Sequence, residues 1–132
     1  MRDTTIDKIA GECVAVRLRM LNRVITNIYD NALRPLELKV SQMNILVAAA
    51  KMGVARPSEV CEYLHLDVST LSRNVDRMKA RGWLEVVPDN DGRSQPFQLT
   101  PRDASCWRRR FRLGARLNDR SSRFWARSSW IS

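Results

Sequence analysis

Between Pro57 and Gly82 two amphipathic segments are separated only by His65, Leu66 and Asp67. A connection that short makes two successive helices cross against each other. Pro57 suits the first turn of the first helix, where its missing N–H is no loss, and Val60, Cys61 and Leu64 turn inward. The second runs from about Ser69 to Arg81 and is closed by Gly82. Helical spacing gathers Val68, Leu71, Val75 and Met78 on one face and leaves Ser69, Thr70, Ser72, Arg73, Asp76 and Arg77 on the other. The pattern predicts a helix-turn-helix.

The segment after Gly82 narrows the fold further. Leu84, Val86 and Val87 read as a strand, Pro88 to Gly92 as a polar turn, and Phe97 and Leu99 as the returning strand. A β-hairpin placed directly after such a helix is a wing. Arg93 falls near its tip, where a guanidinium can reach a narrow minor groove, and Asp91 is close enough in sequence to orient it. The outer face of the second helix, short, polar and basic, suits a major groove, although a merely solvated face would show the same polarity.

Upstream, Thr4 to Leu33 holds no Pro and one Gly, Gly11, which predicts one long helix. It carries two apolar stripes, one of Ile6, Ile9, Cys13, Val16 and Met20, the other of Val14, Leu18, Leu21, Ile25, Ile28 and Ala32. Two stripes call for two covering surfaces: a partner chain, or burial within a monomer. Pro35 ends this helix, and Ser41 is placed to cap the next, which runs to about Met52 with Met43, Leu46, Val47 and Ala50 on one face before Gly53 stops it. At 132 residues with 44% apolar content, the chain suits one core with extensions. The expected fold is mainly α with a small β-hairpin, divided into an N-terminal dimerisation helix over 1–34, a winged helix-turn-helix over 35–100, and an atypical tail over 101–132.

Several classes of function are disfavoured. No apolar run reaches the 18 residues of a membrane span, and the N-terminus lacks the apolar block of a leader, so the cytoplasm is the expected location and no membrane partner is expected. Cys13, Cys61 and Cys106 share no disulfide or metal spacing, and with His65 the lone histidine neither a metal site nor a cofactor is expected. No nucleophile-base pair or glycine-rich phosphate loop appears, so no enzymatic activity is expected.

From Leu64 to Thr100 the chain resembles the MarR (multiple antibiotic resistance regulator) family. The carrying residues are Leu66-Asp67-Val68-Ser69-Thr70-Leu71-Ser72-Arg73-Asn74-Val75-Asp76-Arg77-Met78, then Gly82-Trp83-Leu84, Asp91-Gly92-Arg93-Ser94, and Leu99-Thr100. The resemblance implies a homodimer on a pseudo-palindromic double-stranded DNA operator, with repression relieved by a small anionic or phenolic effector or by cysteine oxidation. It further implies that Ser58, Ser69, Thr70, Ser72, Arg73, Asn74 and Arg77 meet groove and phosphate, and that Asp91, Arg93 and Ser94 form the wing contact. Arg56 stands where the family often has Thr or Ser, which removes the usual helix cap. Cys13 is a candidate redox sensor by this resemblance, but it lies in an apolar stripe, and core packing is the plainer reading.

The tail departs from the family, whose Leu-Thr pair is followed by a Gly and two dimer helices. Residues 101–132 hold nine of the Arg, six Ser and three of the four Trp, with no Glu, Lys, Val, Met, Thr or Tyr. Net charge there is +7 (nine Arg, two Asp), against +2 for the other hundred residues (fourteen basic, twelve acidic). The bias is what a GC-rich gene yields in a shifted frame: GC-rich codons for Asp103 onward, with one base restored, read GRQLLAAAVPAWRE, an amphipathic string. The plainer alternative is a basic, aromatic tail binding DNA backbone without sequence preference. With no apolar periodicity discerned in this tail, it supplies neither a dimer face nor the second wall of the effector pocket that the family places between dimer helices and winged domain. The rival reading of the whole chain is a protein-interaction winged helix with such a non-specific tail.

Overall fold

The computed structural model describes residues 4–90, 92–101 and 104–127. Helices α1 (Thr4–Glu12) and α2 (Val14–Leu33) lead through a 3-10 turn (Arg34–Leu36) to α3 (Val40–Met52), α4 (Pro57–Leu64) and α5 (Val68–Ala80). Strands β1 (Leu84–Val86) and β2 (Phe97–Leu99) pair antiparallel, Val86 facing Phe97, and α6 (Ala104–Arg127) follows.

The single N-terminal helix expected from composition is broken at Cys13, whose backbone is extended at φ −65°, ψ 109°. Gly11, two residues earlier, weakens the helix there, and the Arg17 guanidinium donates to the Gly11 carbonyl across the bend. Both apolar stripes remain mostly in water: Ile6, Ile9, Val14, Leu18, Met20 and Ile28 are each about 60% exposed or more. Within one chain only Cys13, Ile25 and Ala32 of these stripes are half-buried.

The centre of the core is α3, where Ile45, Leu46, Ala48 and Ala49 are fully buried. Against it pack Val60 of α4, Leu71 and Met78 of α5, and Leu84 and Phe97 of the sheet. The inward face of α3 differs from the expected one in part. Val47 and Ala50 are exposed, and the small pair Ala48-Ala49 admits the neighbouring elements instead. Val68, assigned inward in α5, is 69% exposed because it sits in the first turn, beyond the reach of the core. Nor does Ser41 cap α3. The helix begins one residue earlier, where the Val40 N–H donates to Asp30 Oδ1 at 2.7 Å and the Lys39 N–H to Gln42 Oε1 at 3.0 Å.

Residues 104–127, expected to lack an apolar periodicity, form α6, and Phe111, Leu113 and Leu117 pack partly buried against the core. The stripe is hard to discern in sequence because it is narrow and interleaved with arginines, which are good helix formers. Gly114 lies against α3, where a Cβ would come into ordinary contact with Met43 Cε at 3.4 Å.

Candidate nucleic-acid interface

The first turn of α5 is organised by its own cap. Asp67, in extended backbone at φ −77°, ψ 153°, accepts the Ser69 hydroxyl at 2.6 Å. That hydroxyl first, and the Thr70 hydroxyl second, hold the Asp67 carboxyl at about 2, below its ordinary 3.8. A carboxylate at a helix N-terminus also suits the positive end of the helix dipole. Asp67 therefore orients the two hydroxyls that the sequence singles out. Sequence reasoning misses this role, although an Asp directly before the Val-Ser-Thr run is its signal.

Along the rest of α5, Ser69, Ser72, Arg73 and Arg77 are exposed. Arg73 Nε donates to the Ser69 carbonyl at 3.3 Å, which holds the side chain along the helix. Asn74 turns back instead: half-buried, it donates from Nδ2 to the Thr70 carbonyl at 3.0 Å. Its amide is occupied within the helix.

Between α4, α5 and the wing lies a groove of about 410 Å³ lined by Ser58, Ser72, Arg93 and Ser94. Thus four candidates from three elements share one surface. Asp91, expected to pair with Arg93, lies outside the described residues. The acid that shapes the wing is Asp89, whose Oδ2 lies 3.2 Å from Arg56 Nη1 and accepts the Ser94 hydroxyl at 3.2 Å. Arg56, the residue before α4, makes no side-chain cap, as anticipated, and reaches the wing across 33 residues of sequence. Gly92, at φ 58°, holds a left-handed conformation that glycine adopts without strain.

The far end of α5 is anchored by residues that the sequence alone does not single out. Arg81 donates to the Glu37 carbonyl at 2.6 Å, pairs with the Glu37 carboxylate at 3.2 Å, and lies 3.7 Å from the centroid of the Trp83 ring. From α6, Arg110 approaches the same ring at 5.0 Å. Thr100 Oγ1 closes the sheet by donating to the Gly82 carbonyl at 2.7 Å.

A second groove, of about 710 Å³, lies between α2, α3 and α6. Tyr29, Asn44, Phe111 and Asn118 are among its walls, so α6 supplies the side expected to be missing. Cys13 is half-buried at the bend before α2 and lines neither groove. Among the described residues no group of His, Cys, Asp or Glu could hold a metal ion, and no helix is long and apolar enough to cross a membrane.

A helix-turn-helix followed at once by a two-stranded wing packed on the same core defines a winged-helix protein. Residues 36–94 match the model of the MarR family, so over this segment the chain is similar to members of that family. It is 32% identical over 87 residues to the multiple antibiotic resistance protein MarR of Salmonella typhimurium, a match covering 65% of this chain and 60% of that protein. An uncharacterised HTH-type transcriptional regulator of Bacillus subtilis, YwoH, is 27% identical over 59% of this chain and 57% of its own. Among solved structures, the M. tuberculosis transcriptional regulator MOSR in complex with DNA superposes at a TM-score of 0.72, with 26% identity over 84% of this chain and 83% of that one. A mutant MarR of E. coli complexed with operator DNA gives 0.72 at 23% identity, covering 86% and 82%. The chain therefore aligns with about three fifths of the length of its curated relatives and, in fold, with most of the solved chains.

Proposed function

We propose that this chain is a sequence-specific DNA-binding regulator of transcription, acting in the cytoplasm as a homodimer on a pseudo-palindromic operator, without enzymatic activity. The observation that carries the reading is the continuity of one surface: the exposed Ser69, Ser72, Arg73 and Arg77 of α5 run into the groove that also holds Ser58 and Arg93. Inserted into a major groove, α5 presents hydroxyls and guanidinium groups to base edges and phosphates, while Arg93 extends to the flanking minor groove. Relatives of similar fold have been seen on DNA, which supports the same geometry here. The exposed stripes of α1 and α2 are the faces on which a second copy would be built.

Repression relieved by a small anionic or phenolic molecule belongs to the same reading, with the groove between α2, α3 and α6 as its seat. Movement of α6 would reach α5 through Arg110, Trp83 and Arg81. Fluorescence anisotropy with the chain's own upstream DNA against a scrambled duplex tests the proposal. A regulator prefers its own sequence; a protein-interaction module prefers neither.

A further inference from the structure

The arginines of α6 are not scattered over its surface. At about 100° per residue, Arg109, Arg112, Arg116, Arg120 and Arg123 fall within an arc of about 80° and extend over about 21 Å. All five are exposed; Phe111 and Gly114 lie on the opposite side of the helix, while Leu113 and Leu117, also packed on the core, border the arc on one flank. Arg123 is paired with Asp119 one turn earlier. Among the described residues, no carboxylate pairs with Arg109, Arg112, Arg116 or Arg120.

We infer that this stripe is a second DNA-binding surface, one that grips the phosphate backbone of a duplex without reading its sequence, separate from α5 and the wing. Charge density argues for it: one guanidinium per about 5 Å along α6 approaches the one phosphate per about 3.4 Å on a strand of duplex DNA. Guanidinium groups also match phosphate oxygens two at a time, as ammonium groups do not. A membrane surface fits less well, because an interfacial helix must bury its apolar face in lipid, and that face of α6 already lies on the core. The two surfaces are distinct, since no described α6 residue lines the groove of α4, α5 and the wing. Duplex DNA as the occupant rests on the winged-helix reading proposed for the chain; the stripe's own charge does not.

The test uses the full chain and a duplex lacking the operator, titrated at several salt concentrations. Replacing Arg109, Arg112, Arg116 and Arg120 together with Gln, which keeps helix propensity, should lower the slope of log affinity against log salt by up to about 3.6, at about 0.9 for each phosphate no longer neutralised. The milder pair Arg112→Gln and Arg116→Gln should lower it by about half as much, and circular dichroism shows whether each variant keeps its helix. Substituting Lys at the same four positions should leave most of the slope. The α5 pair Arg73→Ala and Arg77→Ala should lower the slope by no more than about 1.8 and leave the further fall caused by the α6 substitutions in place. An unchanged slope in a folded Gln pair overturns the inference, as does loss of binding to phosphatidylserine vesicles with duplex binding intact. If operator preference is absent throughout while the α6-dependent slope persists, the winged-helix reading fails and the second surface stands.

Discussion

Arg56 Nη1 lies 3.2 Å from Asp89 Oδ2, joining the residue that opens α4 to the loop leading into the wing. Because Asp89 also accepts the Ser94 hydroxyl, one carboxylate holds both sides of the groove next to Arg93. Exposure of the Arg56 side chain at 51% keeps the pair's contribution to stability within about 1 kcal/mol. Its expected effect is therefore on binding. Arg56→Ala and Asp89→Ala should each weaken operator affinity several-fold with little change in melting temperature, and the double variant should lose no more than either alone. Additive losses would mean that the two act separately.

The cap of α5 gives a pH dependence. With the Asp67 carboxyl at about 2 in the folded chain and 3.8 ordinarily, its contribution is present in full above about pH 4. It is lost as pH falls toward 2, because protonation removes the acceptor that Ser69 and Thr70 use. Between those limits the stability of wild type should fall more steeply than that of Asp67→Asn, as followed by denaturant unfolding at stepped pH. Parallel curves would remove Asp67 from the account.

Phe97 is 1% exposed, and its N–H and carbonyl also pair with Ala55. Phe97→Ala should cost about 3 to 5 kcal/mol through the cavity left behind. Urea unfolding measures this directly, and the wing should loosen with it.

The helix-turn-helix and wing are legible in the sequence because each boundary carries its own local signal: Pro57, the His65-Leu66-Asp67 turn, Gly82, and the polar turn before Phe97. Contacts between distant residues are not. Arg56 with Asp89 and Arg81 with Glu37 depend on tertiary approach, which spacing along the chain does not encode. Asn74 has a place on the α5 face that suggests a DNA contact, yet its amide binds the helix backbone instead. Helix α6 is hidden for a different reason, since arginine supports a helix without marking its apolar face.

The exposed stripes of α1 and α2 predict self-association. Leu18→Glu with Met20→Glu, at positions 61% and 64% exposed, should lower the mass in solution toward that of one chain without unfolding it. An unchanged mass would place the interface elsewhere.

Residues 101–132 carry a further expectation, that their codons lie in a shifted frame. Restoring one base should give a chain that dimerises more tightly and binds generic duplex with a shallower salt dependence, because the arginine stripe is absent from it. Sedimentation and salt titration of the two chains side by side test this. Equal dimerisation would argue that the present tail is a working part of the protein, whereas an equal salt dependence would count against the arginine stripe as a DNA-binding surface.

The central claim is that α5 reads base edges. Arg73→Ala and Arg77→Ala remove exposed guanidinium groups from that face without disturbing a buried contact. Each should cost on the order of 1 to 3 kcal/mol if it contacts a base. Measured by anisotropy on the chain's own upstream DNA and on a scrambled duplex at one salt concentration, the ratio of the two affinities should collapse toward one in the double variant. An unchanged ratio would contradict the assignment of α5 as the element that reads sequence.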